Sequence, residues 1–315
     1  MSGVLVLDHA QTRAALDPAR VLDAVAEALT AISRGTVSAP PRVAAQAPAG
    51  LLGAMPAHVP GLGLGSKLVS VFAAPGRAGR SSHRGVVALF DEDDGRLLAL
   101  MDAEPITAVR TAATATQGMR ALARPHPRRI AVIGTGAQAR AQLALLAALD
   151  GTVPVTVGAR DLPRARELAA LYPLATATGV EDAVRGADVV FCCTGARQPV
   201  VRRSWLAEGA HLSSVGGSQG PELDADTIRD GSLFVEWAGA ATSPPPAGAH
   251  ELQGLAPGRA TLLGAVLDGH HPGRRTPSEL TVFKSTGHAA LDVAAASVVH
   301  THARAHGTGT VMNLS

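Results

Sequence analysis

A short apolar run that stops at a pair of glycines constrains this chain more than any other feature. Residues 130–143 read IAVIGTGAQARAQL, and their first four suit a buried strand. Gly134 follows at once, then Gly136, with Ala139 three positions further on. Between a strand and a helix this spacing is a dinucleotide-binding fingerprint. Gly134 permits the tight turn, Gly136 lets the backbone approach a pyrophosphate, and Ala139 is small enough for the helix to lie close to the strand. The amides and dipole at the helix start favour negative charge. The expected contacts of a nicotinamide dinucleotide are therefore Gly134, Thr135, Gly136, Ala137 and Gln138. The alternative is a turn into an ordinary helix that binds nothing.

The text after the motif supports the first reading. TVPVTVGAR, the helical DLPRARELAALY and EDAVRGA, and the strand DVVFCCT alternate at intervals that mark a doubly wound parallel sheet. HLSSVGG and SLFVEW read as further strands of that sheet. The fold class is α/β: a Rossmann-type domain over residues 118–289, its first strand entered at Arg128, beside a discontinuous α/β domain over 1–117 completed by 290–315. Pro125 and Pro127 mark the boundary region. The second Rossmann strand ends Gly158, Ala159, Arg160, with no carboxylate to hold a ribose 2′-hydroxyl. Arg160 suits a 2′-phosphate, so NADP(H) is favoured, while Asp161 just after it leaves NAD(H) open. Thr194, at the end of the DVVFCCT strand, is placed to line the nicotinamide side of the crevice beyond the sheet.

The other domain reads as a strand at 4–8, a helix from Asp17 to Gly35, one strand (GSKLVSVF) in the Pro- and Gly-broken stretch 39–75, a hairpin over 83–102 and a helix over 103–123. Near the C-terminus a short TVFK run leads into a long Ala-rich helix, and the tail GTGTVMNLS is expected to return to this domain. Three cations stand in otherwise apolar text: Arg42, Lys67 and Arg110. Burying such charges is costly unless an anion meets them, and a substrate carboxylate would do so. Snorkelling to water or pairing with an Asp is the competing account of each. Ser82 and His83 would add a hydroxyl donor and a titratable group.

Composition narrows the function classes. A formal charge of +2 over 315 residues gives no global attraction to nucleic acid. The basic runs RPHPRR (124–129) and HHPGRR (270–275) lack stacking aromatics and spaced ligands, and read as a loop and a turn, so no metal site is expected. Only two cysteines occur, Cys192 and Cys193, adjacent in an apolar strand, where they read as filler rather than as a disulfide framework or nucleophiles. With no signal-like N-terminus and no long uncharged apolar run, a cytoplasmic protein without a membrane span is expected.

Taken in order, PPRV, LGSKLVSV, the stretch from GVVALF to RTAAT, IAVIGTGAQARAQL, ADVVFCCTGARQPV, SVGG…PELD and VFKSTGHAALDVAAA resemble the ornithine cyclodeaminase/mu-crystallin family over nearly the whole chain. The resemblance implies a homodimer, and a first domain that binds substrate and dimerises. It implies that Arg42, Lys67 and Arg110 converge on a substrate carboxylate, with Ser82 standing where the family has a Thr. It also implies that Ser285 to Gly287, and Asp292, belong to the region closing over the cofactor, with Ser285 among its contacts. Cyclodeaminases of the family carry a GGD segment whose Asp handles protons at the substrate amine. Here that segment reads Gly216, Gly217, Ser218, which leaves only Glu222 to stand in. The implied activity is NAD(P)H-dependent reduction of a small ketimine carboxylate, such as 1-pyrroline-2-carboxylate or 1-piperideine-2-carboxylate. The alternatives are an alanine-type amino-acid dehydrogenase, an ornithine or lysine cyclodeaminase, and a non-catalytic NADPH-binding protein.

Overall fold

The computed structural model describes residues 3–72, 83–149, 151–217 and 219–313; the side chain of His83 also lies outside what is described. Contacts divide the chain into two compact units, Met1–Arg110 with His288–Ser315, and Thr111–Gly287. In chain order the strands are β1 (Val4–Leu7), β2 (Val43–Ala47), β3 (Gly50–Val59), β4 (Gly63–Phe72), β5 (His83–Phe90), β6 (Leu97–Asp102), β7 (Ile130–Ile133), β8 (Val155–Gly158), β9 (Ala175–Thr178), β10 (Val189–Cys192), β11 (His211–Ser214), β12 (Ser232–Val235), β13 (Ala260–Leu262), β14 (Thr281–Lys284) and β15 (Thr310–Met312).

In the first unit the sheet order is β15-β1-β6-β5-β4-β3-β2. Only the β1–β6 pairing is parallel. The C-terminal tail does return, as β15 against β1. The stretch expected to hold one strand holds three instead, β2, β3 and β4. Its breakers misled: Pro56 sits inside β3, beyond the end of the β2 pairing, where its missing N–H costs no ladder bond to β2. The helix Pro18–Arg34 forms as the sequence dictates. Asp17 accepts from the Arg20 amide, Pro18 opens the first turn, and Gly35 closes it at φ 70°. Its buried face, Val21, Leu22, Val25, Ala28 and Leu29, packs against the helix Ala289–His306, which lies across β3 and β4.

The second unit is a wholly parallel sheet in the order β13-β12-β14-β11-β10-β7-β8-β9. Chain order reverses between β7 and β10, since β7 runs on to β8 and β9 on one side while β10 and β11 lie on the other. That is the switch point at which open α/β sheets bind ligands. The strands β7, β10 and β11 are buried throughout, as a sheet covered on both faces requires. Strands β9 and β13 escaped the sequence reading, being short and only half-buried. Aromatics are few, yet Phe191, Phe234 and Phe283 are fully buried in this unit among Ala, Val, Leu and Ile. Among the described residues no helix is long and apolar enough to cross a membrane.

Candidate functional site

The two basic runs prove structural. Asp188 accepts from the amides of Arg128 and Arg129 and pairs with Arg124 at 2.8 Å. Arg274 donates to the Leu122 and Ala210 carbonyls and to Thr281 Oγ1, bracing the loop before β14. Cys192 and Cys193 are buried and unbridged, and burial, reinforced by Glu222, pushes both thiols up, away from the reactive thiolate. No metal-holding group of His, Cys, Asp or Glu occurs among the described residues.

The glycine motif lies at the switch point. Gly134 follows β7 with φ 118°, and a Cβ there would meet the Cys193 carbonyl at 2.6 Å and Thr194 Cγ2 at 3.4 Å. The turn after β7 and the end of β10 thus touch, which places Thr194, half-buried, beside the loop. Gly136 is exposed, and a Cβ added to it meets nothing within 4 Å. Ala137 opens the helix Ala137–Leu149, and Ala139 in its first turn is fully buried. Gln138 carries a buried Oε1 with no hydrogen-bond partner among the described residues. Thr135 is half-buried in the turn. Ala159 is buried at the end of β8, Arg160 is exposed just after it, and Asp161 accepts from the Arg164 amide as the cap of the next helix. The open space at Gly136 and the orphaned oxygen of Gln138, at the start of the helix Ala137–Leu149, fit a dinucleotide.

On the same carboxyl edge lies a buried network that the sequence reading missed. Glu222, without exposure, accepts from the Thr194 amide at 2.7 Å and Thr194 Oγ1 at 2.5 Å. It also accepts from Ser214 Oγ at 2.6 Å and the Gly216 amide at 2.8 Å. Lys284, 1% exposed, donates to Ser214 Oγ at 2.6 Å and pairs with Glu251 at 2.8 Å. The signal that marks Lys67, a lysine in an apolar strand, was equally present at Lys284 in LTVFKS. Ser285, buried at the end of β14, donates its amide to the Ser214 carbonyl. Ser218 lies outside the described residues.

In the first unit the structure brings the isolated cations together. Lys67 faces inward from β4, in register with Met55 and Val87, toward the helix Ala289–His306. There Asp292, 1% exposed, meets Lys67 Nζ at 2.8 Å and Arg110 Nε at 2.9 Å. Asp292, which the resemblance places in the region closing over the cofactor, is the carboxylate of this cluster. Arg42 is half-buried, close enough for its charge to bear on Lys67 and on His288. Burial lowers the Lys67 pKa to about 8; Asp292 opposes the fall, while Arg110 and Arg42 add to it. His288 caps the helix by accepting from the Ala290 amide, and burial drops its pKa to about 4 despite Asp292, so it is neutral at pH 7. Lys67 and Arg110 thus both pair with the one buried carboxylate of Asp292, the pairing with an Asp that the sequence left open, and Arg42 stands close by. Ser82 and the His83 side chain lie outside the described residues.

Known proteins share both units. The profile of the ornithine cyclodeaminase/mu-crystallin family matches residues 4–307. A Delta(1)-pyrroline-2-carboxylate reductase of Paracoccus denitrificans is 34% identical over 270 residues, covering 80% of this chain and 83% of that protein. The Thermococcus litoralis Delta(1)-pyrroline-2-carboxylate reductase, solved with NADH and L-proline, superposes with a TM-score of 0.86 at 26% identity, covering 98% of this chain and 99% of that one. An archaeal alanine dehydrogenase dimer with bound NAD gives a TM-score of 0.86 at 28% identity, with 99% of each chain covered. With a match running from β1 to the end of the helix Ala289–His306, the chain belongs to the ornithine cyclodeaminase/mu-crystallin family.

Proposed function

We propose that this protein reduces a small, cyclic ketimine carboxylate to the L-amino acid with a nicotinamide dinucleotide. The observation that carries the reading is the buried cluster of Lys67, Arg110 and Asp292 with Arg42 beside it, in a chain that also has an open glycine turn at a Rossmann switch point. When bound, the dinucleotide supplies the hydride. Gly134, Thr135, Gly136, Ala137 and Gln138 would hold its pyrophosphate side, Ala159 and Arg160 its ribose side, and Thr194 and Ser285 its nicotinamide side. Arg160 is exposed and Asp161 is committed to a helix cap, which favours NADP(H) over NAD(H).

Arg42 and Arg110 orient the substrate carboxylate, with Ser82 as a further donor. Lys67 holds a proton at Nζ for the imine nitrogen, because its pKa near 8 leaves it charged at neutral pH yet able to give the proton up. Asp292 is a positioning residue that aligns the two cations from opposite oxygens. Positioning supplies much of the rate, since hydride transfer needs reacting atoms within about 3–3.5 Å. A cyclodeaminase would need a carboxylate free to exchange protons at the amine. Ser218 replaces that Asp, and four donors already surround Glu222. Oxidation of a small amino acid runs through the same groups in reverse, and the likeness to an alanine dehydrogenase over 99% of each chain keeps it as the second reading.

The partner surface is a second copy of the chain. Val43, Ala54, Leu68 and Val86 form one transverse row across β2 to β5, and Val43, Leu68 and Val86, with Leu52 on the same face, are exposed. An exposed apolar sheet face of this kind marks an interaction site, and the related archaeal protein is a dimer. The deciding experiment follows NADPH and NADH consumption with 1-pyrroline-2-carboxylate, 1-piperideine-2-carboxylate and pyruvate plus ammonia, beside an ammonia-release assay on ornithine and lysine. Turnover of the cyclic imines with NADPH is expected; turnover of pyruvate alone, or ammonia release from ornithine, would refute the assignment.

A further inference from the structure

The network around Glu222 has a consequence for how the nicotinamide is read. An ionised carboxylate accepts only, and offers about four lone-pair sites. The amides of Thr194 and Gly216 and the hydroxyls of Thr194 and Ser214 occupy those sites. The direction of each hydroxyl proton is determined as well. Ser214 Oγ accepts from Lys284 Nζ, so its own proton points to Glu222. Thr194 Oγ1 accepts from the Ala196 amide at 3.3 Å, and its proton likewise points to Glu222. The three strands that end in this network, β10, β11 and β14, are neighbours, and all are buried. The proton order is therefore held by the sheet itself.

Thr194 consequently has nothing to donate outward. Both its N–H and its O–H are spent on one oxygen of Glu222, and what remains for the crevice is a lone pair on Oγ1. A threonine with a free hydroxyl accepts from an amide NH2 or donates to a carbonyl with equal ease. We infer that Glu222 is a positioning residue that makes Thr194 an acceptor only, so that this site reads the NH2 group of the nicotinamide carboxamide and not its carbonyl. The inference rests on the dinucleotide reading given above and deepens it.

The test measures dissociation constants on the full chain by cofactor fluorescence, for NADPH and its reduced 3-acetylpyridine analogue, with the NADH pair in parallel. The analogue keeps the carbonyl and replaces NH2 with a methyl group. Wild type is expected to bind the analogue about five- to tenfold more weakly, the loss of one hydrogen bond. Thr194→Val removes the hydroxyl, weakens the natural cofactor and brings the ratio to about one. In Glu222→Gln the amide oxygen stays on the side facing Lys284 Nζ, 3.7 Å from Oε2, and the amide nitrogen falls against Thr194. The threonine proton is released, and the ratio narrows to about two or less. A merely structural Glu222 would weaken both cofactors alike and leave the ratio unchanged. That result overturns the inference, as does equal binding of both cofactors by wild type. If Glu222→Gln does not fold, the wild-type and Thr194→Val ratios decide. Failure of wild type to bind any of these dinucleotides overturns the dinucleotide reading itself, a distinguishable outcome.

Discussion

Lys67 and Arg110 share a single buried carboxylate, and this explains why the chain tolerates two cations with about 5% exposure each. A buried charge without a partner is costly, and the pairing with Asp292 offsets that cost. Replacing Arg110 with Met removes one charge-assisted contact to substrate. The Michaelis constant for the imino acid should rise about ten- to hundredfold, while the dinucleotide dissociation constant stays within about twofold. A matching loss in both would contradict the division of labour. Lys67 carries its own signature. With its pKa near 8, Nζ keeps its proton below that pH and loses it above. The rate of imine reduction should therefore fall about tenfold per pH unit above pH 8. Lys67→Arg, whose guanidinium stays charged, should remove that limb below pH 10; a limb left in place would exclude Lys67 as its source. The sequence exposed Lys67 and Arg110 because charge in apolar text is conspicuous. It hid Asp292, which a helix of Ala and Val brings to them from 182 residues past Arg110.

The turn between β7 and its helix separates two kinds of glycine. Gly134 is required by the backbone, since its φ of 118° and the Cys193 carbonyl 2.6 Å from a Cβ exclude a side chain. Gly136 meets nothing of the protein within 4 Å, so its smallness serves whatever approaches from outside. Gly134→Ala should cost on the order of 3 kcal/mol of stability, read as a lower denaturation midpoint. Gly136→Val should leave that midpoint nearly unchanged and weaken NADPH binding tenfold or more, about 1.4 kcal/mol. Unchanged affinity in Gly136→Val would show that no phosphate comes near this turn. The motif was legible because fingerprint, strand and helix are contiguous in sequence. Strands β2 and β3 were not. Every residue of β2 is exposed, and Gly and Pro interrupt the alternation of β3, so no period of two emerges.

For the molecule as a whole, the apolar row across β2 to β5 is a surface that an isolated chain would leave wet. Leu52→Glu with Leu68→Glu should convert a dimer to a monomer in sedimentation, because each copy places like charges on the shared face. The exposed positions of these two side chains imply little loss of secondary structure by circular dichroism. A wild-type protein that already sediments as a monomer would refute the assignment of this face. The return of the chain through the helix Ala289–His306 and β15 completes the first unit, and it was visible in the sequence as an Ala-rich helix followed by a β-prone tail.

The sequence alone determined what depends on neighbours along the chain: the alternation of strands and helices, the Asp17 and Gly35 helix ends, the glycine turn and the lack of a carboxylate between the end of β8 and Arg160. Propensity, capping and turn sterics act over a few residues, so a linear text records them. Tertiary structure decided which charges meet. Asp292 with Lys67 and Arg110, and Glu222 with Thr194, Ser214 and Gly216, are brought together by sheet register and helix packing across 6 to 225 positions. Burial then sets the energy of those encounters, and burial belongs to the folded chain, not to any stretch of it.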